Sequence, residues 1–161
     1  YLARQGKTYA LAKDSRVFDT GGFKSTKTDM TVDDLYARFS EVFGVARTHC
    51  VNMYGMTELS SQIYDQNLLS YYTDGSSNYL KATPSWVRSV FLDPSTRMPV
   101  PNGKQGVIAH YDLANWNSCL AILTEDLGMR TASGYELNGR AKGAEARGCS
   151  IAVDEVMAAN A

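Results

Sequence analysis

The stretch from Arg16 to Met53 leaves few architectural choices. Residues 16–22 (RVFDTGG) read as a short strand that runs into a glycine turn. Thr31-Val32-Asp33-Asp34 is a helix start, with Thr31 able to cap and Asp34 where a capping-box acid belongs. Val32, Leu35, Phe39 and Val42 follow helical spacing, and Gly44 supplies a stop. Residues 48–53 (THCVNM) form a second strand. Two strands joined through a helix imply parallel pairing with a right-handed crossover. Ligands of such sheets bind beyond the carboxyl ends of the strands. Gly21-Gly22 and Tyr54-Gly55-Met56-Thr57-Glu58 both lie at those ends.

Beyond about residue 84 the character changes. Residues 86–92 read as a strand, 93–103 as a wide proline-containing hairpin loop, and 106–111 and 118–123 as further strands. Short strands with turn chemistry between them predict an antiparallel sheet or partial barrel. The expected fold class is therefore α/β: a partial parallel α/β sheet subdomain over 1–83, then a small antiparallel β-barrel-like subdomain over 84–161. Residues 65–80 carry three tyrosines around Asp74-Gly75 and are expected to be a surface excursion.

Bulk properties exclude several classes. With 161 residues, 44% apolar and 20% charged, the chain can bury a core and has no disordered composition. A net charge of −1 gives no electrostatic case for nucleic acid or an acidic membrane. No apolar run approaches the roughly 20 residues of a membrane span, and the start lacks the layout of a signal peptide. Three cysteines without CxxC spacing and two separated histidines argue against a disulfide framework or structural zinc. A reducing cytoplasm is the expected location, with Cys50 and Cys119 as small buried hydrophobes. His49 and His110 are expected in the core or at an edge. The chain begins at Tyr1 rather than Met, as a fragment would.

The segment at 52–58 (NMYGMTE) puts an aromatic ring, a glycine, a hydroxyl and a carboxylate on one strand exit. Tyr54 offers a flat apolar face on which an adenine can stack. Thr57 and nearby backbone offer donors to a phosphate, and Glu58 is a hard oxygen ligand suited to Mg²⁺. Alone, the same residues read first as a plain strand-to-loop junction with a helix cap at Thr57.

The company this segment keeps is more specific. Asp19-Thr20-Gly21-Gly22, the Tyr54–Glu58 run, Thr124-Glu125-Asp126-Leu127-Gly128 and Gly139-Arg140 follow one another in an order that resembles the adenylate-forming superfamily of acyl-CoA synthetases and luciferases. Within it, DTGGFK at 19–24, NMYGMTELSSQ at 52–62 and GRAKGAEARGCS at 139–150 resemble the acyl-protein synthetases of the LuxE type, over residues 16–154. The resemblance implies ATP and Mg²⁺ as cofactors. Gly21, Gly22 and Gly55 would lie along the nucleotide, Tyr54 would stack on adenine and Thr57 would contact the α-phosphate. Glu58 would hold the metal, Asp126 would accept from the ribose hydroxyls, and Arg140 would reach the ribose and phosphate. Lys142 falls at the family's hinge position. The implied reaction joins a fatty acid or other carboxylic acid to AMP and passes the acyl group to a thiol, with an acyl reductase protein as a further partner.

Cys149 is the candidate thiol. It follows Arg147, which can lower its pKa, and Gly148, which leaves it accessible. The resemblance implies an acyl-carrying cysteine near this position; a buried cysteine in a last strand (residues 149–153) is the plain alternative. The family's Ser/Thr/Gly-rich phosphate loop, the half that holds the acyl pocket and the lobe with a catalytic lysine have no counterparts here. The chain thus reads as a C-terminal piece, expected to bind nucleotide weakly and to be inactive by itself. An acyl- or aryl-CoA ligase, and a non-catalytic nucleotide-binding module of the same fold, remain open beside the acyl-protein synthetase.

Overall fold

The computed structural model describes residues 2, 5–20 and 31–141. Two compact units emerge, Tyr1–Tyr54 with Ile63–Ala82, and Gly55–Gln62 with Thr83–Ala161. Gly21, Gly22, Lys142, Arg147, Gly148 and Cys149 lie outside the described residues.

In the first unit, β1 (Val17–Thr20) and β2 (Cys50–Tyr54) pair in parallel, with Asp19 opposite Asn52. Between them in sequence runs α1 (Val32–Phe43). Its start is the expected capping box: the Thr31 hydroxyl accepts from the Asp34 amide at 3.1 Å, and the Asp34 carboxylate accepts from the Thr31 amide at 2.9 Å. Gly44 closes the far end by donating to the Ser40 carbonyl. The helix lays Tyr36, Phe39 and Phe43 against Val17, Val45 and Cys50, so the apolar stripe becomes the core.

Residues 65–80 are more regular than the sequence suggests. After β3 (Ile63–Asp65) comes α2 (Asn67–Asp74), then β4 (Lys81–Ala82), and β3 pairs antiparallel with both β2 and β4. The reason is Asn67, a fully buried side chain that donates to the carbonyls of Arg47 (2.9 Å) and Cys50 (3.0 Å). An asparagine that suggests a loop in sequence instead anchors a helix to the start of β2.

The second unit is an antiparallel meander of β5 (Val87–Leu92), β6 (Gln105–Asp112), β7 (Ala121–Thr131) and β8 (Gly134–Arg140). Its described strands make an open sheet, not a closed barrel. Val87, Phe91, Val107, Ile108 and Tyr135 are buried, and Phe91 meets Tyr135 edge-on at 5.4 Å. The strand expected at 118–123 starts later and runs much further, through Gly128. Gly128 stays in the strand because nothing larger fits. A Cβ there would lie 2.7 Å from the Glu136 carbonyl oxygen and 2.8 Å from the Phe91 ring. Gly128→Ala is therefore expected to destabilise by about 1–3 kcal/mol, read as a lowered midpoint in urea unfolding. An unchanged midpoint would mean that Phe91 and Ile108 yield freely.

Among the described residues no helix is long and apolar enough to cross a membrane.

Candidate functional site

Tyr54 ends β2 in the first unit, opposite Ile63, and is buried with 9% of its surface exposed. The remainder of the motif belongs to the second unit. There the Leu59 amide donates to the Met56 carbonyl at 3.1 Å and closes a tight turn. Gly55 leads into it, and Thr57 and Glu58 stand exposed at its middle while Leu59 is buried behind them. The hydroxyl and carboxylate that sequence assigns to a phosphate and a cation thus share one turn tip and face solvent. No group of three or more His, Cys, Asp and Glu among the described residues converges as a metal cage. A single exposed carboxylate fits a magnesium ion that arrives on nucleotide phosphates, since such ions keep waters and take only one or two protein carboxylates.

What holds the turn was not foreseen from sequence. The chain just after it is gripped by Asp112, the last residue of β6, and Asn115, at the end of the 3₁₀ turn Leu113–Asn115. Asp112 is fully buried, and its carboxylate accepts from the Ser61 amide (2.9 Å), the Ser61 hydroxyl (2.8 Å) and the Ala114 amide (3.0 Å). Asn115 donates to the Glu58 carbonyl at 2.5 Å and hydrogen-bonds the Ser60 hydroxyl. The Trp86 indole N–H donates to the Ser61 hydroxyl at 2.9 Å.

Asp126 and Arg140, separated in sequence, are brought together. They are register partners across β7 and β8, and the Arg140 Nε lies 3.5 Å from an Asp126 oxygen. Arg140 also donates to Glu125 at 2.6 Å, so a neighbour that the motifs did not single out shares its charge. Irregularities on both sides of β7 produce this placement. Toward β8, the register slips between Asp126 and Gly128, and Gly139 takes a φ of 87° that L-residues with a side chain rarely adopt. Toward β6, the Thr124 hydroxyl donates to the Ile108 carbonyl (2.8 Å) and accepts from the Asp126 amide (3.0 Å), replacing ladder bonds. Asp126 therefore sits in the bulged part of a strand rather than at a surface turn.

Behind the ends of β1 and β2 is a polar network whose sequence signal was only Asp19. The Asp19 carboxylate accepts from Tyr36 (2.9 Å) and from the Asn52 amide group (2.6 Å). The Lys81 ammonium donates to the Asn52 carbonyl at 2.7 Å and to its side-chain oxygen. Asp65 accepts from the Asn52 main-chain N–H at 3.1 Å. Burial brings Lys81 down to about 8 against the pull of Asp65 and Asp19, and burial also raises Asp65. The first unit thus crosslinks the strand that leads to Gly21-Gly22 with the strand that ends at Tyr54.

Cys50 is buried as expected, and burial pushes its thiol up to about 11, the mark of an inert cysteine. Cys119 is exposed instead, because it lies in the irregular stretch before β7 rather than in a strand. His110 is fully buried against Ser89, whereas His49 meets Tyr71 and Tyr72 edge-on.

Comparison with known proteins bears on the family and the fold. A family model described as acyl-protein synthetase, LuxE, matches residues 1–158. The chain belongs to the LuxE acyl-protein synthetase family. A LuxE-family relative, the long-chain-fatty-acid–luciferin-component ligase of Vibrio harveyi, is 20% identical over 168 residues, which cover 99% of this chain and 42% of that protein. The chain thus spans less than half the length of the curated relative it matches. Among solved structures, apo MatB from Rhodopseudomonas palustris superposes with a TM-score of 0.52 at 20% identity, over 79% of this chain and 26% of its own. A long-chain-fatty-acid-CoA ligase from Archaeoglobus fulgidus gives 0.52 at 16%, over 88% and 31%. McyG A-PCP, complexed with phenylalanyl-adenylate, gives 0.52 at 17%, over 86% and 27%. At these identities the structural likeness establishes that this LuxE-family chain has the fold of the adenylate-forming enzymes.

Proposed function

We propose that this chain is the nucleotide-binding part of an ATP-dependent acyl-protein synthetase acting on a long-chain fatty acid. The observation that carries the reading is the pairing of Asp126 with Arg140, two residues given nucleotide roles by motif alone and brought into contact by a doubly irregular strand. The relative's name, a fatty-acid ligase, and the adenylate held by a protein of the same fold support the substrate class and the reaction type.

In the proposed reaction a fatty-acid carboxylate oxygen attacks the α-phosphorus of ATP, the bond to the bridging oxygen breaks, and pyrophosphate leaves. The product is acyl-AMP. Gly21, Gly22, Tyr54 and Gly55 would line the adenine side, and Asp126 would accept from the ribose hydroxyls. Arg140 would set its cation beside the charge that develops on the phosphate, and Thr57 would donate to the same group. Mg²⁺, held in part by Glu58, would supply charge neutralisation on the phosphates. The Cys149 thiolate would then attack the acyl carbonyl and expel AMP, leaving a thioester for an acyl reductase partner. A cytoplasmic location belongs to this reading, since a free thiolate needs reducing surroundings.

The test is fatty-acid-dependent ATP–pyrophosphate exchange by the protein with whatever sequence flanks this chain in its reading frame. Labelling with radioactive fatty acid and ATP follows. Exchange together with a hydroxylamine-labile label that disappears in Cys149→Ser is the expected result. Exchange with coenzyme A as sole acyl acceptor would replace the reading by a CoA ligase. No exchange with any carboxylic acid would leave a nucleotide-binding module.

A further inference from the structure

The residues that would meet phosphate and magnesium are exposed at a turn tip, where side chains ordinarily move freely. Preorganisation at such a place needs rigid support from beneath. The structure supplies it in an unusual form. A fully buried carboxylate, Asp112, spends all three of its close hydrogen bonds on Ser61 and on Ala114 of the adjoining 3₁₀ turn. Burying a carboxylate is costly, and hydrogen-bond donors aimed at it offset that cost. The same 3₁₀ turn ends in Asn115, only 6% exposed, whose amide spans the Glu58 carbonyl and the Ser60 hydroxyl. Asn115 is thus one hydrogen bond from the main chain of the proposed metal ligand. Asp112 grips the same stretch of chain three residues further along, at Ser61.

We infer that Asp112 and Asn115 are positioning residues that clamp the Thr57–Glu58 turn and so set the geometry with which it receives nucleotide phosphate and Mg²⁺. The inference rests on the acyl-adenylation reading proposed above and adds to it residues that no motif marks. The clamp acts on the main chain of residues 58–61, and the side chains of Thr57 and Glu58 inherit its rigidity. Its effect therefore falls on the chemical step and on the magnesium requirement, and spares recognition of the fatty acid.

The test uses Asn115→Ala, Asp112→Asn and Ser60→Ala in ATP–pyrophosphate exchange, with the magnesium and fatty-acid concentrations varied separately. Asn115→Ala should lower kcat by about tenfold or more and raise the magnesium needed for half-maximal rate several-fold. The fatty-acid KM should stay within about twofold. Ser60→Ala keeps the bond from Asn115 to the Glu58 carbonyl and should retain most of the activity. Asp112→Asn keeps the shape but turns one of the two accepting oxygens into an NH2 donor, which then faces the backbone N–H of Ser61 or of Ala114, and should resemble Asn115→Ala. Circular dichroism on each variant reports folding independently of rate. Should Asn115→Ala be folded with an unchanged kcat and magnesium requirement, the clamp is overturned. Should it lose activity only in proportion to its unfolded fraction, the role is structural, and the clamp is overturned likewise. Glu58→Gln separates the two levels of argument. A strong loss there beside a silent Asn115→Ala sinks the clamp and keeps the adenylation reading. Absence of exchange in the unaltered protein overturns both.

Discussion

Arg140→Ala is expected to lower fatty-acid-dependent ATP–pyrophosphate exchange by about 100-fold, while the fold survives. Arg140 faces solvent with 22% of its side chain and is held by Glu125 and Asp126, so its loss opens no core cavity. On the proposed reading, what disappears is a guanidinium beside the charge that develops on the phosphate, and single groups of that kind contribute on the order of 100-fold or more. Asp126, whose side chain is 14% exposed, also loses the cation beside it, and with it the partner that would orient it toward a ribose on the proposed reading. Arg140→Lys should recover only part of the rate, because one ammonium cannot span Glu125 and Asp126 as the planar fork does. The measurement is the exchange rate at saturating ATP, beside a urea midpoint for each variant. Arg140→Ala within about threefold of the unaltered protein would remove Arg140 from the proposed site.

Acid is expected to unfold the second unit through His110. Burial takes this histidine from its ordinary 6.5 down to about 4, although the charges of Asp126 and Asp112 pull upward. The unfolded chain therefore binds a proton between those values that the folded chain refuses. Stability contributed by the neutral ring is complete above about pH 6.5 and falls as the pH drops toward 4. The full loss is on the order of 3 kcal/mol. Replacing the ring by His110→Gln, which can still meet the Ser89 hydroxyl that now lies 2.8 Å away, removes the titration. Urea unfolding at about pH 7 and about pH 4.5 should then show a much smaller acid loss in His110→Gln than in the unaltered protein. Parallel losses in the two would shift the cause to the carboxylates.

The sequence was most informative where physics is local. Thr31, Asp34 and Gly44 act on atoms three or four residues away, so α1 and the parallel pair it joins could be read directly. The second unit was partly hidden because its rules are tertiary. Gly128 has the look of a turn residue, yet it is required in mid-strand by the Phe91 ring and the Glu136 carbonyl. β8 lacks a clean alternation because its ladder is bulged, so it went unread although Gly139-Arg140 was singled out. Thr57 and Glu58 stand out by side-chain type, since a hydroxyl and a carboxylate suit a phosphate and a cation, whereas Asp126 and Arg140 are marked only by the resemblance of their motifs. Asp112 and Asn115 have neither mark. Their partners Ser60 and Ser61 lie more than 50 positions earlier in the chain, and nothing in Asp-Leu-Ala-Asn announces that distance. Asp19 drew notice only through its glycines, while its bonds to Tyr36 and Asn52 follow from the β1–β2 register.

The slip in the ladder beside Gly139 has a consequence for how such chains can diverge. Side chains on a strand alternate between faces, so deleting or inserting one residue between Gly128 and Arg140 turns the guanidinium to the opposite face of the sheet. The bulge already sets one extra residue of β8, between Leu137 and Arg140, against Asp126–Gly128 of β7. The proline-containing loop between β5 and β6 carries no such parity and can lengthen without penalty to this pair. In related sequences that keep the pairing, the count of residues from the acid to the arginine is expected to be far less variable than the length of that loop, whatever the residues in between become.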